Sequence, residues 1–230
     1  MPTIEEGVNR SSSWAELAPR KLQSPRLFSS VRGAPRNRRA TDVILLVVSA
    51  TVMLISGWAV EPPGSLSNDL LALAEELPEW VNSVALVCQD LMVVWAVFLF
   101  LAALIRWRLA TFATALGSVA LSTLIAFFAH RLVAPDPTTF GQFLERFTAS
   151  DGPASFPAIR LVVASTVIVS MSPVVSRPFR FSGRRVLAIG FLATVALSLS
   201  TLVGAVGGLA IGAAAAATMH LLFGSPGGRP

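Results

Sequence analysis

Four ionisable residues beside apolar segments are the strongest candidates for chemistry in this chain. Asp90 lies about ten residues into a long apolar segment, His130 and Arg131 end the next one, and Arg160 lies just inside a third. Ionisable groups at membrane depth are costly and usually have a partner and a function. We hypothesise that Asp90 pairs with Arg160 or Arg131, either as a structural ion pair or beside a site where both arginines contact an anion.

Several familiar types of site are missing from the sequence. It has no HExxH or CxxC motif, no paired histidines, no G-x-S-x-G elbow and no P-loop, and Cys88 is its one cysteine. We therefore predict no metal site, no cofactor and no disulfide within the chain. His220 stands alone in an apolar segment, which favours an interface residue over a ligand.

Glycines recur every four residues near the end of the chain, at Gly204, Gly208 and Gly212. On a helix this spacing makes a flat stripe that a second helix can approach closely. The same glycines could instead form a turn between two spans, and the sequence leaves both interpretations open.

The composition indicates a membrane protein. Of 230 residues, 53% are hydrophobic and only 13% charged, with a mean hydropathy of +0.67, whereas a soluble domain carries about 25% charged residues. The net charge of +5 lies in short clusters between apolar segments. Such clusters set topology and contact anionic lipid headgroups, so we expect membrane lipids and no nucleic acid as partners.

The apolar segments predict an all-α, polytopic bundle of about six transmembrane helices. The segment 186–223 would be ~57 Å long as one helix, far beyond the ~30 Å hydrocarbon core, so we divide it by a tight turn within 200–208. A disordered basic tail at 1–40 and a short tail at 225–230 flank the domain at 41–224. The predicted spans are 41–60, 81–105, 109–129, 158–175, 186–203 and 205–223.

The arrangement of charges orients the bundle. With both termini cytoplasmic, 15 of the 18 Lys and Arg residues lie inside, and the exceptions are Arg131, Arg146 and Arg160. This agrees with the positive-inside rule and predicts a multi-pass protein of the cell membrane. Two loops on the outside, 61–80 and 130–157, contain apolar residues at helical spacing. We expect a short amphipathic helix in each, with the stripes Leu70, Leu73, Ala74, Leu77 and Phe140, Phe143, Leu144, Phe147.

The order of these elements resembles the type 2 phosphatidic acid phosphatase superfamily, which is composed of six-span enzymes that hydrolyse lipid phosphates through a phospho-histidine. The segment beginning His130-Arg131 stands where that family has an Arg-Pro element, and the S-F-P-A-I-R segment at 155–160 stands where it has F-P-S-G-H. The segment 198–212 stands where the third element, S-R-x5-H-x3-D, belongs. The end of the chain, 221–230, is similar to a junction in actinobacterial proteins that continue into a lysylphosphatidylglycerol synthase/flippase-like domain.

The catalytic residues of that family are absent here. Arg160 replaces the histidine that donates to the leaving group, and no histidine occurs between Arg131 and His220. Without a nucleophile, covalent phosphoryl transfer by this route cannot begin. The resemblance therefore implies a non-catalytic relative, a pseudoenzyme that binds anionic lipid or packs on a partner membrane protein or a following flippase-like domain.

Two alternatives stay open at this level. The first is an active lipid phosphatase that uses another nucleophile, such as His130. The second is a transporter or flippase component, for which the sequence shows no polar stripe along any span. In the favoured hypothesis, Arg131 and Arg160 contact the anionic lipid, and Asp90 and His130 lie beside these two arginines.

Overall fold

The fold is a bundle of helices. The computed structural model describes residues 27–28, 36–60, 68–69, 72–74, 76–133, 139–148 and 156–226. Its helices are α1 Ala40–Trp58, α2 Glu79–Ile105, α3 Leu109–Val133, α4 Phe140–Thr148, α5 Ile159–Met171, α6 Arg177–Ala196 and α7 Leu202–Phe223. The pieces β1 Arg36–Asn37 and β2 Ser225–Pro226 pair antiparallel.

Among these helices, α1, α2, α3 and α7 are long and apolar enough to cross a membrane. This confirms the prediction of an all-helical membrane protein in its coarser form. Many of their large apolar side chains, such as Ile44, Val87 and Leu104, are exposed on the surface of the bundle. In water such a surface would be unfavourable, whereas in a bilayer it faces lipid.

Helix α5 is shorter than the predicted span at 158–175. It has 13 residues, or about 20 Å at the α-helical rise. It lies at the centre of the bundle, packed against α2, α3, α6 and α7, and nearly all its residues are buried. Because protein rather than lipid surrounds it, α5 does not have to match the thickness of the hydrocarbon core.

Helix α6 differs from the predicted span at 186–203. It begins at Arg177, with a proline in its first turn and with Arg180, Arg184 and Arg185 inside the helix. Proline is well tolerated there because the first N–H groups of a helix have no partner within it. Its 20 residues are enough to cross a membrane, but only the last half of α6 is a continuous apolar segment, so it is not among the four helices that are both long and apolar enough.

The link between the last two helices lies earlier than the predicted turn at 200–208. Helix α6 ends at Ala196, and Ser198 has a positive φ of 53° in the link. Thr201 caps the start of α7 by accepting a hydrogen bond from the Gly204 amide at 3.0 Å, a typical N-cap contact. All three glycines of the stripe are therefore inside α7.

The glycine stripe lies against α5. A Cβ atom on Gly208 would be 3.2 Å from the Ala158 carbonyl oxygen, and one on Gly212 would be 2.7 Å from the Val162 carbonyl oxygen. The Gly204 carbonyl also accepts from the Ala158 amide at 3.5 Å. The absence of side chains thus allows the backbones of α5 and α7 to approach closely.

The bundle has two distinct ends. We call the end with the start of α5 and the end of α3 the mouth end, where His130 contacts Phe156 and Arg160 contacts Gln89. We call the other the arginine-rich end. It includes the link between α2 and α3 at 106–108 and the start of α6.

Part of the predicted disordered tail lies against the arginine-rich end. Leu27 accepts a hydrogen bond from the Ser176 amide at 2.8 Å, and Phe28 forms a β-bridge with Val175. The Arg108 guanidinium stands 4.5 Å from the centre of the Phe28 ring. These two residues pack on the main hydrophobic core, a contact that the polar composition of 1–40 did not indicate.

Candidate functional site

Arg160 joins three elements at the mouth end. Its Nε donates to the Phe147 carbonyl oxygen at 2.8 Å, and its Nη1 donates to Gln89 Oε1 at 3.2 Å. The same Nη1 lies 3.7 Å from Asp90 Oδ1. The planar guanidinium suits this role because it carries five donors in a fixed fork. Arg160 therefore holds α4, α5 and α2 together.

The two polar partners on α2 differ in exposure. The Asp90 side chain is 72% exposed and the Arg160 side chain is 11% exposed, whereas Gln89 is 1% exposed. An ion pair with one exposed member contributes little to stability. The partly buried hydrogen bonds to Gln89 and Phe147 are thus the stronger contacts, and Asp90 is an exposed carboxylate beside the guanidinium.

Helix α4 covers this region and begins with a capping box. Thr139 Oγ1 accepts from the Gln142 amide at 3.3 Å, and Gln142 Oε1 accepts from the Thr139 amide at 2.9 Å. The reciprocal bonds satisfy two N–H groups at the start of the helix.

The predicted apolar stripe of α4 faces partly inward. Its Phe143 is 1% exposed, whereas Phe140 and Leu144 remain partly exposed. In the other predicted amphipathic segment, residues 68–69 and 72–74 are helical, and Leu70 lies outside the described residues.

His130 is buried under α4. It is 5% exposed, its ring centre lies 5.6 Å from that of Phe143, and its Nδ1 is 2.8 Å from the Phe156 carbonyl oxygen. A carbonyl oxygen only accepts, so Nδ1 carries the proton in this contact. The histidine therefore fixes the chain just before α5 and is not open to a bulky lipid phosphate.

Arg131 lies on the outside of an aromatic cluster. Its guanidinium is 5.8 Å from the centre of the Phe127 ring, and Phe127 in turn packs on Phe140 and Phe143. Arg131 is exposed. Of the two arginines proposed to contact an anion, Arg160 thus stands beside Asp90, and Arg131 is the more open to the surroundings.

An apolar cavity of about 270 Å³ begins at Arg160. Arg160 and Phe147 line one end, and Leu101, Leu116 and Val167 line the other. Seven residues of α5 separate Arg160 from Val167, which corresponds to about 10 Å along the helix. Arg160 is the charged residue in the lining; the rest of the lining is apolar.

The cavity opens sideways between α2 and α3. Val97 and Leu101 on α2 and Leu116 on α3 line it and are also 47–51% exposed on the surface of the bundle. Both helices are among those long enough to cross a membrane. The opening therefore faces the hydrocarbon region wherever these two helices span the bilayer.

A second polar contact, which was not predicted from the sequence, lies at the arginine-rich end. His220 Nδ1 lies 3.7 Å from Asp42 Oδ1, and His220 Nε2 lies 3.1 Å from the Ser170 carbonyl oxygen. Asp42, Ser49 and Ser56 are all buried on α1. Their spacing of seven residues is visible in the sequence and forms the polar stripe along a span that our interpretation did not find.

No metal centre is formed by the described parts of the chain, since no group of three or more His, Cys, Asp or Glu side chains comes together there. No protein-family model, curated protein or solved structure matches this chain.

Proposed function

We propose that this chain is a non-catalytic, lipid-phosphatase-like membrane module that binds an anionic lipid. One acyl chain would occupy the cavity between α2, α3 and α5, and the headgroup would lie at the mouth end near Arg160 and Arg131. The observation that supports this best is an apolar cavity that opens between two lipid-facing helices and has Arg160 in its lining.

The apolar cavity suits the acyl chain of such a lipid, and the guanidinium suits its anionic headgroup. Each methylene group buried from water is worth about 0.8 kcal/mol, but inside a bilayer the chain only exchanges lipid neighbours for protein ones. Affinity must therefore come mainly from the headgroup. Arginine binds phosphate with two parallel hydrogen bonds, and a phosphate would replace the exposed Asp90 carboxylate beside Arg160.

A six-span topology with cytoplasmic termini belongs to the same proposal. Helices α1, α2, α3 and α7 would cross the bilayer fully, and α5 and α6 would complete the bundle between them. The mouth end would then face outward, and the arginine-rich end would meet the anionic headgroups of the cytoplasmic leaflet. The chain would reside in the cell membrane.

Lipid retention by purified protein tests the proposal. Val97→Trp places a large ring at the cavity opening, whereas Val94→Trp makes the same change at an exposed position of α2 outside the lining. We expect phospholipid co-purified per protein, measured by mass spectrometry, to fall in Val97→Trp and to be unchanged in Val94→Trp.

The headgroup contacts are tested by Arg160→Ala and Arg131→Ala. We expect both to reduce retention of anionic phospholipid more than that of zwitterionic phospholipid. Unchanged retention in both variants would contradict the lipid site and would favour a module that packs on a partner protein.

Catalysis is tested separately with lipid phosphates as substrates. Because His130 is buried and hydrogen-bonded to Phe156, we expect no phosphate release by the purified protein. Release that disappears in His130→Ala would overturn the non-catalytic assignment and identify an active phosphatase. Flux of lipid across proteoliposomes would instead indicate a flippase component.

A further inference from the structure

The exposed apolar surface of α2 and α3 continues as far as the link between these two helices. Ile105, the last residue of α2, and Leu109, the first residue of α3, are both exposed. Two arginines and a tryptophan form the link 106–108 between them. On this side of the bundle, the boundary between hydrocarbon and lipid headgroups therefore lies at the link.

The exposed face of α6 changes from cationic to apolar near the middle of the helix. Its first half exposes three arginines and an aromatic residue, Arg177, Phe181, Arg184 and Arg185. Its second half exposes Ile189 and Leu192. The boundary on α6 thus follows Arg185, eight residues or about 12 Å from the start of the helix.

The packing of α6 on α2 shows that these two boundaries lie at different depths. A Cβ atom on Gly190 would be 3.0 Å from Met92 Cβ, so these two residues are at the same level. Met92 lies 13 residues before the end of α2, and Gly190 lies 13 residues after the start of α6. The start of α6 is therefore level with the end of α2, and Arg185 lies about 12 Å nearer the middle of the bundle.

The arginines of α6 lack acidic partners within the described part of the chain. Helix α6 contains no acidic residue, and neither ion pair among the described residues includes one of its arginines. The positive end of the helix dipole opposes cations in the first turn, and a charged side chain at hydrocarbon depth is costly. An anion from outside the chain would offset both effects.

The Arg185 side chain is directed toward the arginine-rich end. Its guanidinium lies 4.1 Å from the centre of the Phe181 ring, which is one turn closer to the start of α6. The Cβ atoms of a helix tilt toward its N-terminus, and the long stem of an arginine carries its charge toward the headgroups. Arg184 is exposed beside it, and guanidinium groups bind phosphate with paired hydrogen bonds.

We propose that Arg184 and Arg185 form a second anionic-lipid site, which brings a phospholipid headgroup inward and thins the leaflet beside α6. The apolar face around Ile189 and Leu192 would contact the acyl region of this lipid, which a soluble anion lacks. The inference rests on the proposed crossing of the bilayer by α2 and α3. It requires neither the cavity at Arg160 nor a particular orientation of the bundle.

Retention of phosphatidylglycerol by the purified protein after a high-salt wash tests the site. Salt screens exposed charges more strongly than partly buried ones. In Arg184→Gln/Arg185→Gln we expect the affinity for phosphatidylglycerol to fall about fivefold for each arginine removed. Retention of phosphatidylcholine should not change. Arg38→Gln/Arg39→Gln is the matched control, because it removes two adjacent arginines just before α1 at the same end, and it should keep the salt-resistant lipid.

Three results would distinguish this site from its alternatives. Equal retention in Arg184→Gln/Arg185→Gln and the wild type, or equal losses in both double variants, would overturn the proposal. Release of the lipid by inorganic phosphate at constant ionic strength would show a site for free anions and would overturn the lipid assignment. The effect of the α6 arginines should persist in Val97→Trp, so failure of the cavity site and failure of this site are separate outcomes.

The depth of spin labels in nanodiscs tests the thinning directly. In a Cys88→Ala background, Ile189→Cys places a label 12 residues, or about 18 Å, from the start of α6. We expect this label to be shallower with Arg184 and Arg185 present than in Arg184→Gln/Arg185→Gln. A label at Leu104→Cys, beside the link, should have the same depth in both. An Ile189 label of unchanged depth would overturn the thinning.

Discussion

Arg160 Nε donates a hydrogen bond to the Phe147 carbonyl oxygen at 2.8 Å, which joins the start of α5 to the end of α4. The last carbonyl groups of a helix have no partner within it, and a positive charge there also interacts favourably with the helix dipole. Arg160 supplies both the donor and the charge. Arg160, which we predicted to contact an anion, thus also connects two helices.

Removing the hydrogen bonds of Arg160 is expected to destabilise the packing of α4 on the bundle. Arg160→Leu deletes hydrogen bonds from a charged group to Phe147 and Gln89, each worth about 1.5–3 kcal/mol. We expect a lower Tm and faster hydrogen exchange in residues 140–148. Arg131→Leu is the control because Arg131 is exposed, and it should change Tm little. Equal exchange of α4 in the Arg160 variant and the wild type would show that the aromatic cluster alone holds α4.

Close packing of α5 on α7 predicts a sharp difference between two glycines. A Cβ on Gly212 would lie 2.7 Å from the Val162 carbonyl oxygen and 2.9 Å from the Thr166 amide nitrogen, and it would also overlap Ser165 Oγ. Gly212→Ala should therefore cost about 1–3 kcal/mol of stability.

Gly57→Ala is the matched change in α1, where nothing lies within 4 Å of the added Cβ. Alanine favours a helix over glycine by up to about 1 kcal/mol, so this variant should be as stable as the wild type or slightly more so. Chemical or thermal unfolding in detergent measures both. A Gly212→Ala protein as stable as Gly57→Ala would contradict the close approach of the two backbones.

Asp90 is expected to compete with the lipid headgroup for Arg160. The two side chains are 3.7 Å apart and Asp90 is exposed, so a lipid phosphate and Asp90 would share one guanidinium. Asp90→Asn removes the competing charge and should raise retention of anionic phospholipid, with little change in Tm. Glu79→Gln, an exposed acid on the same helix but ~16 Å away along the helix axis, is the control and should leave retention unchanged.

The proposed topology predicts opposite accessibility for two positions on α2 and its link to α3. Glu79 starts α2, and Trp107 lies in the link and is 70% exposed. In a Cys88→Ala background, a membrane-impermeant maleimide should label Glu79→Cys in intact cells and Trp107→Cys only after permeabilisation. The reverse pattern would place the arginine-rich end outside. Labelling of both in intact cells would contradict a membrane crossing between them.

The sequence by itself determined the class of the protein. Apolar segments of about 20 residues have one stable environment, because a chain in hydrocarbon must satisfy its backbone within a helix. The helical stripe of Phe140, Phe143, Leu144 and Phe147 likewise indicated α4, and its Thr139–Gln142 capping box is a local pattern. Ends of elements that depend on such local interactions could be predicted to within a few residues, as for α2 and α7.

Only the tertiary structure decided which helices meet and how far each extends. Helix α5 is short because other helices enclose it, and nothing in the segment 158–175 encodes that enclosure. The sequence predicted that Asp90 pairs with an arginine, but it could not decide between Arg131 and Arg160, which are 29 residues apart along the chain. Asp42 and His220 lie at opposite ends of the sequence, and only the packing of α1 on α7 brings these two side chains together. Contacts of this kind depend on which helix faces pack together, and a helical period read from one segment does not specify its partner.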